Sequence, residues 1–578
     1  MRLFLFSLFL FCLITTRAVA STLPEPVVAA LRHAHIPLSA VSIVVQQTGA
    51  PDPLVSVNAD RAVNPASTMK LLTTIASLET LGPAYRWKTE AYLDGKLENG
   101  VLQGDLVFKG YGDPKLTVEE FWMWLHELRQ RGLREIRGDI VLDHSFFEAV
   151  KQDPAAFDHD PTRAYNVGTD ALLLNFNAMH LHLIPDGHAT RAMLEPDLDG
   201  YTVVNRITTS RRLRCGGAAA YKAHLEGHDI ILEGRMPADC GEADEYFSLL
   251  PQDQYFFAVF SALWKELGGT VQGQLRVGNA PAGQVPFAMY VSPPLAEVIR
   301  DINKFSNNTM ARQLFLTLGM ADQVSANRDG LLSAGEKDGS GEYPMPLALG
   351  ADSLQARQEG GDITDPDDAI SSAPATLQQD DGDNNPAASA VSMSAMSMTK
   401  DKLSSGTSDT GPLAAPGAGV GLAEAPAANI ARSIAAIQQW LATQHMQFPE
   451  LVMENGAGLS RNARISARHI ADLLQRVMSS PFHAELEASL PILGMDGTVK
   501  KRFRDSDIAG YAHLKTGTLD GVKSIAGYVR AHDGKQWIVV FIVNNRHAAL
   551  AEPAQNALIE WLQKDVPDEI DPAGSGKT

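Results

Sequence analysis

Residues 67–81 read Ser67-Thr68-Met69-Lys70-Leu71-Leu72-Thr73-Thr74-Ile75-Ala76-Ser77-Leu78-Glu79-Thr80-Leu81. The apolar positions Leu71, Leu72, Ile75, Leu78 and Leu81 recur every three or four residues and predict a helix with one buried face. Positions three apart share a helix face, so the Ser67 hydroxyl and the Lys70 amine can meet. A free serine hydroxyl is a weak nucleophile until an adjacent base takes its proton. Lys70 can be that base only where burial or neighbouring cations disfavour its ammonium form. The helix start also leaves the Ser67 N–H free to help stabilise an oxyanion. Ser67-x-x-Lys70 is therefore a candidate acyl-transfer nucleophile with its base attached.

Alone, the tetrad is weak evidence, because roughly one or two chance copies are expected in a chain of this size. A second copy, Ser397-Met398-Thr399-Lys400, lies in a low-complexity stretch with no helix pattern behind it. Two partners raise the first copy above chance. Lys515-Thr516-Gly517-Thr518 sits on the first of three β-branched and aromatic runs separated by Gly-containing turns. A lone lysine there would be an ordinary strand end. The four residues together offer an ammonium, a hydroxyl and closely approachable backbone, which suits a substrate carboxylate. The Thr518 N–H is a candidate second oxyanion donor. Ser306-Asn307-Asn308 lies between two helical runs and offers a hydroxyl and a side-chain amide on one bend. Ser-x-Asn is the least specific of the three signals, since Ser56, Ser325 and Ser460 begin similar triplets and serine is a common helix cap.

Ser-x-x-Lys, Ser-x-Asn and Lys-Thr-Gly in that order resemble the signature of the penicillin-recognising serine enzymes, the penicillin-binding proteins and serine β-lactamases. The long separation of Ser67 from Ser306 exceeds what a β-lactamase needs. The chain is most similar to the class C low-molecular-mass penicillin-binding proteins, the D-alanyl-D-alanine carboxypeptidase/endopeptidases of the penicillin-binding protein 4 type. Gly112-Asp113-Pro114-Lys115, Leu172-Leu173-Leu174-Asn175-Phe176-Asn177, Ser292-Pro293-Pro294-Leu295 and Gly456-Ala457-Gly458-Leu459-Ser460-Arg461 carry the likeness along most of the chain. The resemblance implies an α/β (α+β) catalytic domain with an antiparallel sheet flanked by helices and inserted β-rich domains. It implies that Ser67 forms the acyl-enzyme, Lys70 is the general base and Ser306 passes a proton to the leaving group. Asn308 would hold the peptide, Lys515, Thr516, Gly517 and Thr518 would bind the terminal carboxylate and carbonyl, and Arg461 would contact the stem peptide. Two positions depart from the family pattern: Asn307 stands where Asp is common, and Glu454-Asn455 precede Gly456 where Asp is more usual. Neither removes a catalytic group.

The implied reaction is cleavage of D-Ala-D-Ala in peptidoglycan stem peptides, with endopeptidase cleavage of cross-links in the same cleft and acylation by β-lactam antibiotics. A β-lactamase or esterase is the alternative within the class, and it needs a second base for fast deacylation. A non-catalytic peptidoglycan-binding scaffold is the alternative outside it, and such a protein has no need of all three motifs. Oligomeric state is open, a homo-oligomer included.

Residues 1–20 carry Arg2, an apolar run over 3–13 and Ala18-Val19-Ala20, the pattern of a cleaved secretory signal, which predicts a periplasmic protein without a transmembrane anchor. Export leaves Cys215 and Cys240, which could close one disulfide in an oxidising compartment. The 578 residues imply several domains. We expect catalytic segments at 21–90, 286–323 and 428–564, with β-rich insertion at 91–285. Within the first catalytic segment, a helix over 24–33 and a strand over 41–45 are expected, and a helix over 551–563 ends the last. Residues 324–427, acidic and rich in Gly, Ala, Ser, Asp and Pro, are expected to be a disordered insertion, and 565–578 a disordered tail. The insertion supplies much of the formal charge of −19. An acidic surplus argues against nucleic-acid binding. The histidines show no ligand spacing of the His-Glu-x-x-His kind and there is no Gly-rich phosphate loop, so no metal and no cofactor are expected.

Overall fold

A computed structural model describes residues 23–148, 152–186, 188–211, 213, 221–238, 240–320 and 427–564. The expected signal, insertion and tail, the second Ser-x-x-Lys copy and Cys215 lie outside these residues. Cys240 is disulfide-bonded.

The chain begins with helix α1 (Glu25–His33) and strands β1 (Val41–Gln47) and β2 (Val55–Val57), followed by helix α2 (Lys70–Leu81). Ser67 does not lie in α2 itself. It sits in a tighter 3-10 turn, Ala66–Met69, that runs directly into the helix and keeps the three-residue spacing to Lys70. α1 ends at His33 as expected, and His35 lies beyond it with φ of 55°.

A long hairpin, β3 (Lys88–Glu98) and β4 (Val101–Gly110), opens the inserted region. Helix α3 (Val118–Gln130) follows, then β5 (Glu135–Ile136) and β6 (Ile140–Asp143). Next come β7 (Met179–Pro185), β8 (Thr190–Glu195), β9 (Thr202–Ser210), β10 (Tyr221–Glu226), β11 (Asp229–Pro237) and β12 (Ala243–Phe247). Helix α4 (Gln252–Glu266) precedes β13 (Thr270–Val271), β14 (Leu275–Val277) and β15 (Ala288–Val291), which pairs back onto β3. The region is thus built from a seven-stranded sheet and two three-stranded sheets. It also holds two long helices that a reading as short strands overlooks. α3 and α4 bury Phe121, Trp124, Phe256 and Phe260 around Phe108 of β4 in a core of their own.

The chain returns through α5 (Leu295–Phe305) and α6 (Asn308–Leu318), then α7 (Ile430–Thr443), α8 (Ala467–Val477) and α9 (His483–Ser489). Strands β16 (Ala512–Leu519), β17 (Val522–Arg530) and β18 (Gln536–Asn544) and helix α10 (Glu552–Lys564) complete it. The five-stranded antiparallel sheet has the order β16-β17-β18-β1-β2, so the first strand is paired with the last, Val41 opposite Val543. β18 is a continuous apolar run because both its faces are covered. Ile538, Val540 and Ile542 belong to the core that also holds α2, α5, α6 and α8, whereas Val539, Phe541 and Val543 belong to the core that holds α1 and α10. This is the antiparallel sheet flanked by helices that the motifs implied. It leaves β16 as an exposed edge beside the Ser67 turn.

Candidate active site

The turn that presents Ser67 is held by asparagine side chains. Asn64 Oδ1 accepts from the Ala66 N–H at 2.9 Å, and Asn64 Nδ2 donates to the Ser460 carbonyl at 2.8 Å. Asn544 at the end of β18 receives the Asn64 N–H at 2.8 Å and returns a bond to its carbonyl at 2.9 Å. Between them Ala66 adopts φ of 48°, a left-handed conformation that a non-glycine residue keeps only when its surroundings over-determine it. Two glycines let other segments approach. A Cβ on Gly458 would lie 2.0 Å from the Ala66 carbonyl oxygen. One on Gly517 would lie 2.8 Å from the Ser67 nitrogen and 2.3 Å from Ser524 Oγ, so only glycine brings β16 this near the serine.

Lys70 is fully buried. Its Nζ lies 3.0 Å from Ser67 Oγ, 2.7 Å from Asn308 Oδ1 and 2.6 Å from the Ala457 carbonyl oxygen. Burial pushes its pKa well below the ordinary lysine value, and the nearby cations Lys515 and Arg312 push the same way. A neutral amine has two N–H donors and one lone pair. Asn308 Oδ1 and the Ala457 carbonyl can only accept, so they take both N–H groups and leave the lone pair facing the Ser67 hydroxyl. Moving the hydroxyl proton onto Nζ breaks neither of those bonds.

The second lysine is arranged differently. Lys515 on β16 is also fully buried, and burial lowers its pKa to about 7. It donates to Ser306 Oγ at 2.9 Å and to the Thr516 carbonyl at 2.8 Å. Ser306 ends α5 in the left-handed region, φ 57°. Asn307 then caps α6, its Oδ1 accepting the Met310 N–H at 3.0 Å, so the middle residue of Ser-x-Asn starts the helix that carries Asn308. Thr516 Oγ1 donates to Thr498 Oγ1 at 2.7 Å, and Thr518 is exposed on the strand edge.

The fold therefore brings Ser67, Lys70, Ser306, Asn308 and Lys515 into one linked set, with Thr516 and Gly517 beside it on β16. Arg461 stands farther out. It is half-exposed, packs its guanidinium over the Phe157 ring at 5.0 Å and lines a cavity of about 390 Å³ with Arg312, Glu454, Asn455 and Ser460. The Glu454-Asn455 pair shapes this loop. Glu454 accepts from Ser460 Oγ and Asn462 Nδ2, while Asn455 bonds the Ala457 N–H and the Leu459 carbonyl and so fixes the carbonyl that Lys70 uses.

Three contributors escaped the sequence reading. Arg312 lies one helical turn beyond Asn308 on the same face of α6, and burial lowers its own pKa to about 10. The Ala457 carbonyl is a backbone group with no sequence signature. Ser524 lies opposite Gly517 in the β16–β17 register and donates to the Pro65 carbonyl at 2.7 Å, fixing the turn before the serine.

The sequence pattern of the D-Ala-D-Ala carboxypeptidase 3 (S13) family matches residues 25–335 and 417–565. A D-alanyl-D-alanine carboxypeptidase from an Actinomadura species is 23% identical over 525 residues, covering 88% of this chain and 78% of its own length. The D-alanyl-D-alanine carboxypeptidase DacB of Haemophilus influenzae is 20% identical over 493 residues, covering 83% and 80%. The crystal structure of penicillin binding protein 4 (dacB) from Haemophilus influenzae superposes with a TM-score of 0.63 at 18% identity, covering 93% of this chain and 99% of that one. With its serine and amine in hydrogen-bond contact beside a Lys-Thr-Gly strand, the chain belongs to the D-Ala-D-Ala carboxypeptidase 3 (S13) family of serine hydrolases, as a class C penicillin-binding protein of the penicillin-binding protein 4 type.

Proposed function

We propose that the chain is a serine DD-peptidase acting on peptidoglycan stem peptides through an acyl-enzyme on Ser67. The observation that carries this reading is the buried Lys70 amine, set near the two cations Lys515 and Arg312, with two acceptors to hold its N–H groups when neutral and Ser67 Oγ 3.0 Å away. Lys70 takes the hydroxyl proton as Oγ attacks the penultimate D-Ala carbonyl. The Ser67 N–H and the β16 backbone at Thr518 stabilise the oxyanion. Ser306, bonded to Lys515, gives its proton to the departing amine and is reprotonated by the proton Lys70 took from Ser67, so D-alanine leaves and Lys70 is again neutral. Water then repeats the sequence on the ester and frees the serine. The terminal carboxylate is drawn by Lys515 with Thr516, Asn308 holds the peptide amide, and Arg461 at the neighbouring cavity meets the stem peptide.

Cross-links ending in the same D-Ala carbonyl fit this chemistry, so endopeptidase action is part of the proposal. Penicillins present a strained amide and a carboxylate in the same relation and should acylate Ser67. The solved Haemophilus influenzae relative has also been crystallised as a complex with a β-lactam. The signal pattern at residues 1–20 supports a periplasmic location, and among the described residues no helix is long and apolar enough to cross a membrane. The proposed domain division keeps the catalytic unit in three segments, 21–90, 286–323 and 428–564, around the 91–285 insertion.

Mass spectrometry after penicillin treatment is expected to place one adduct on the Ser67 peptide, and Ser67→Ala to abolish it. An adduct on another residue would refute the assignment.

A further inference from the structure

Strand β7 alternates Met179, His180, Leu181, His182 and Leu183. Met179, Leu181 and Leu183 are buried in the core of the inserted region, so the period of two turns both histidines to the opposite face. β12 runs antiparallel alongside, with Asp244 opposite His182 and Tyr246 opposite His180. The result is convergence on one oxygen: Asp244 Oδ1 lies 2.8 Å from His180 Nε2 and 2.7 Å from His182 Nδ1. Donor atoms from all three residues fall within 4.8 Å of one another.

A second observation points the same way. The other nitrogen of each ring faces a further carboxylate: His182 Nε2 is 3.1 Å from Glu242 Oε2, and His180 Nδ1 is 4.0 Å from Glu195 Oε2. Tyr246 stacks on His180 with ring centroids 4.7 Å apart. Imidazoles that coordinate through one nitrogen are commonly oriented by a carboxylate on the other, which fixes the tautomer and the ring plane. The only other His-carboxylate cluster found among the described residues lacks this geometry. Asp170 and Asp253 meet opposite nitrogens of the single His144 ring, at 2.5 and 3.1 Å, so that cluster offers one imidazole bridging two carboxylates rather than two imidazoles converging on one.

We propose that His180, His182 and Asp244 form a binding site for a divalent first-row transition ion of the zinc class, separate from the serine chemistry. Two imidazole nitrogens and one carboxylate oxygen suit zinc, nickel or copper(II), whereas magnesium and calcium require oxygen shells. A tetrahedral ion about 2.0–2.2 Å from each donor needs the donors roughly 3.3 Å apart, so the present contacts must open by only about half an ångström. The His180-Leu181-His182 pair gains its third donor from β12, distant in the chain and adjacent in the sheet. A bound ion would fasten β12 to β7 just after the disulfide-bonded Cys240.

The test uses the mature protein, prepared without a polyhistidine tag and stripped with EDTA. Calorimetric titration with zinc chloride is expected to show one equivalent bound, unaffected by millimolar magnesium or calcium. The His180→Gln/His182→Gln variant is expected to lose that equivalent, and Asp244→Asn to weaken it by about 10-fold. Copper(II) loaded at one equivalent should give an electron paramagnetic resonance spectrum with hyperfine structure from two nitrogens. Penicillin labelling of Ser67 verifies that each variant is folded, and His182→Gln alone serves should the double variant not fold. Zinc binding equal to wild type in the histidine variants, displacement by magnesium, or no zinc bound at all would overturn the proposal.

Discussion

Lys70 and Lys515 are both fully buried amines, yet the roles proposed for them are opposite. In its proposed role as base Lys70 must be neutral to act, so the acylation rate should rise with pH through its depressed pKa. Burial is the main cause of that depression, and Lys515 and Arg312 add to it. Arg312→Gln removes one of these cations without touching Ser67, so the acid limb of the acylation profile should move to higher pH, by about half a unit or more. A limb that stays in place would show that Arg312 does not reach the amine. For Lys515 the consequence appears in stability. Its pKa of about 7 in the fold lies below the ordinary 10.5, so the unfolded chain binds more protons between those values. Stability should therefore rise with pH across that window, and Lys515→Met should flatten the rise in melting temperature. Equal slopes in the two proteins would contradict it. Most of this residue set was legible in the sequence because serine, lysine and Lys-Thr-Gly are rare in combination. Arg312 was not, because nothing marks one arginine on a helix until its neighbours across the fold are known.

At the scale of elements, β16 and α6 act as the two jaws on the serine. Gly517→Ala should push β16 away from the Ser67 nitrogen, lowering penicillin acylation by about 100-fold while the helical circular dichroism is unchanged. Wild-type acylation in that variant would mean the strand gives way at no cost. Asn307→Ala removes the cap of α6 and should cost about 1 kcal/mol in denaturant unfolding, whereas Asn307→Asp keeps the cap and should be nearly neutral. The three terminal strands were readable from their β-branched runs, but α3 and α4 were not taken from a region dominated by Gly and Asp turns. The signal for α3 was present, since Thr117 caps the helix at Glu120 and Phe121, Trp124, Leu125 and Leu128 recur at helical spacing. Frequent turn residues outweighed it. α4 is apolar on most of its surface, because it is buried between the sheet and α3, and its period is correspondingly faint.

Over the whole molecule, the long acidic stretch leaves and rejoins the fold at one place. α6 ends at Leu318, and a Cβ on Gly319 would lie only 2.8 Å from Ser433 Oγ in the first turn of α7. The family pattern itself passes over residues 336–416. Replacing residues 325–426 by a short Gly/Ser linker should leave penicillin acylation nearly unchanged, because closing a surface loop costs little and no site residue is removed. A severely slowed reaction in stopped-flow measurements would assign the segment a part in catalysis. The low-complexity composition made this segment visible from the sequence. The closeness of Gly319 to Ser433 on either side of it was not, because that depends on α6 packing against α7.

Joining β1 to β18 has a bearing on how the molecule comes into being. A chain emerging from its N-terminus exposes Ser67 and Lys70 long before the hairpin bearing Lys515 has been made. Until that hairpin docks, the amine remains wetted, holds its proton and leaves the neighbouring alcohol inert. An unfinished copy is thus harmless to whatever amide it drifts past, and it gains its cutting power only once the hairpin bearing Lys515 has docked.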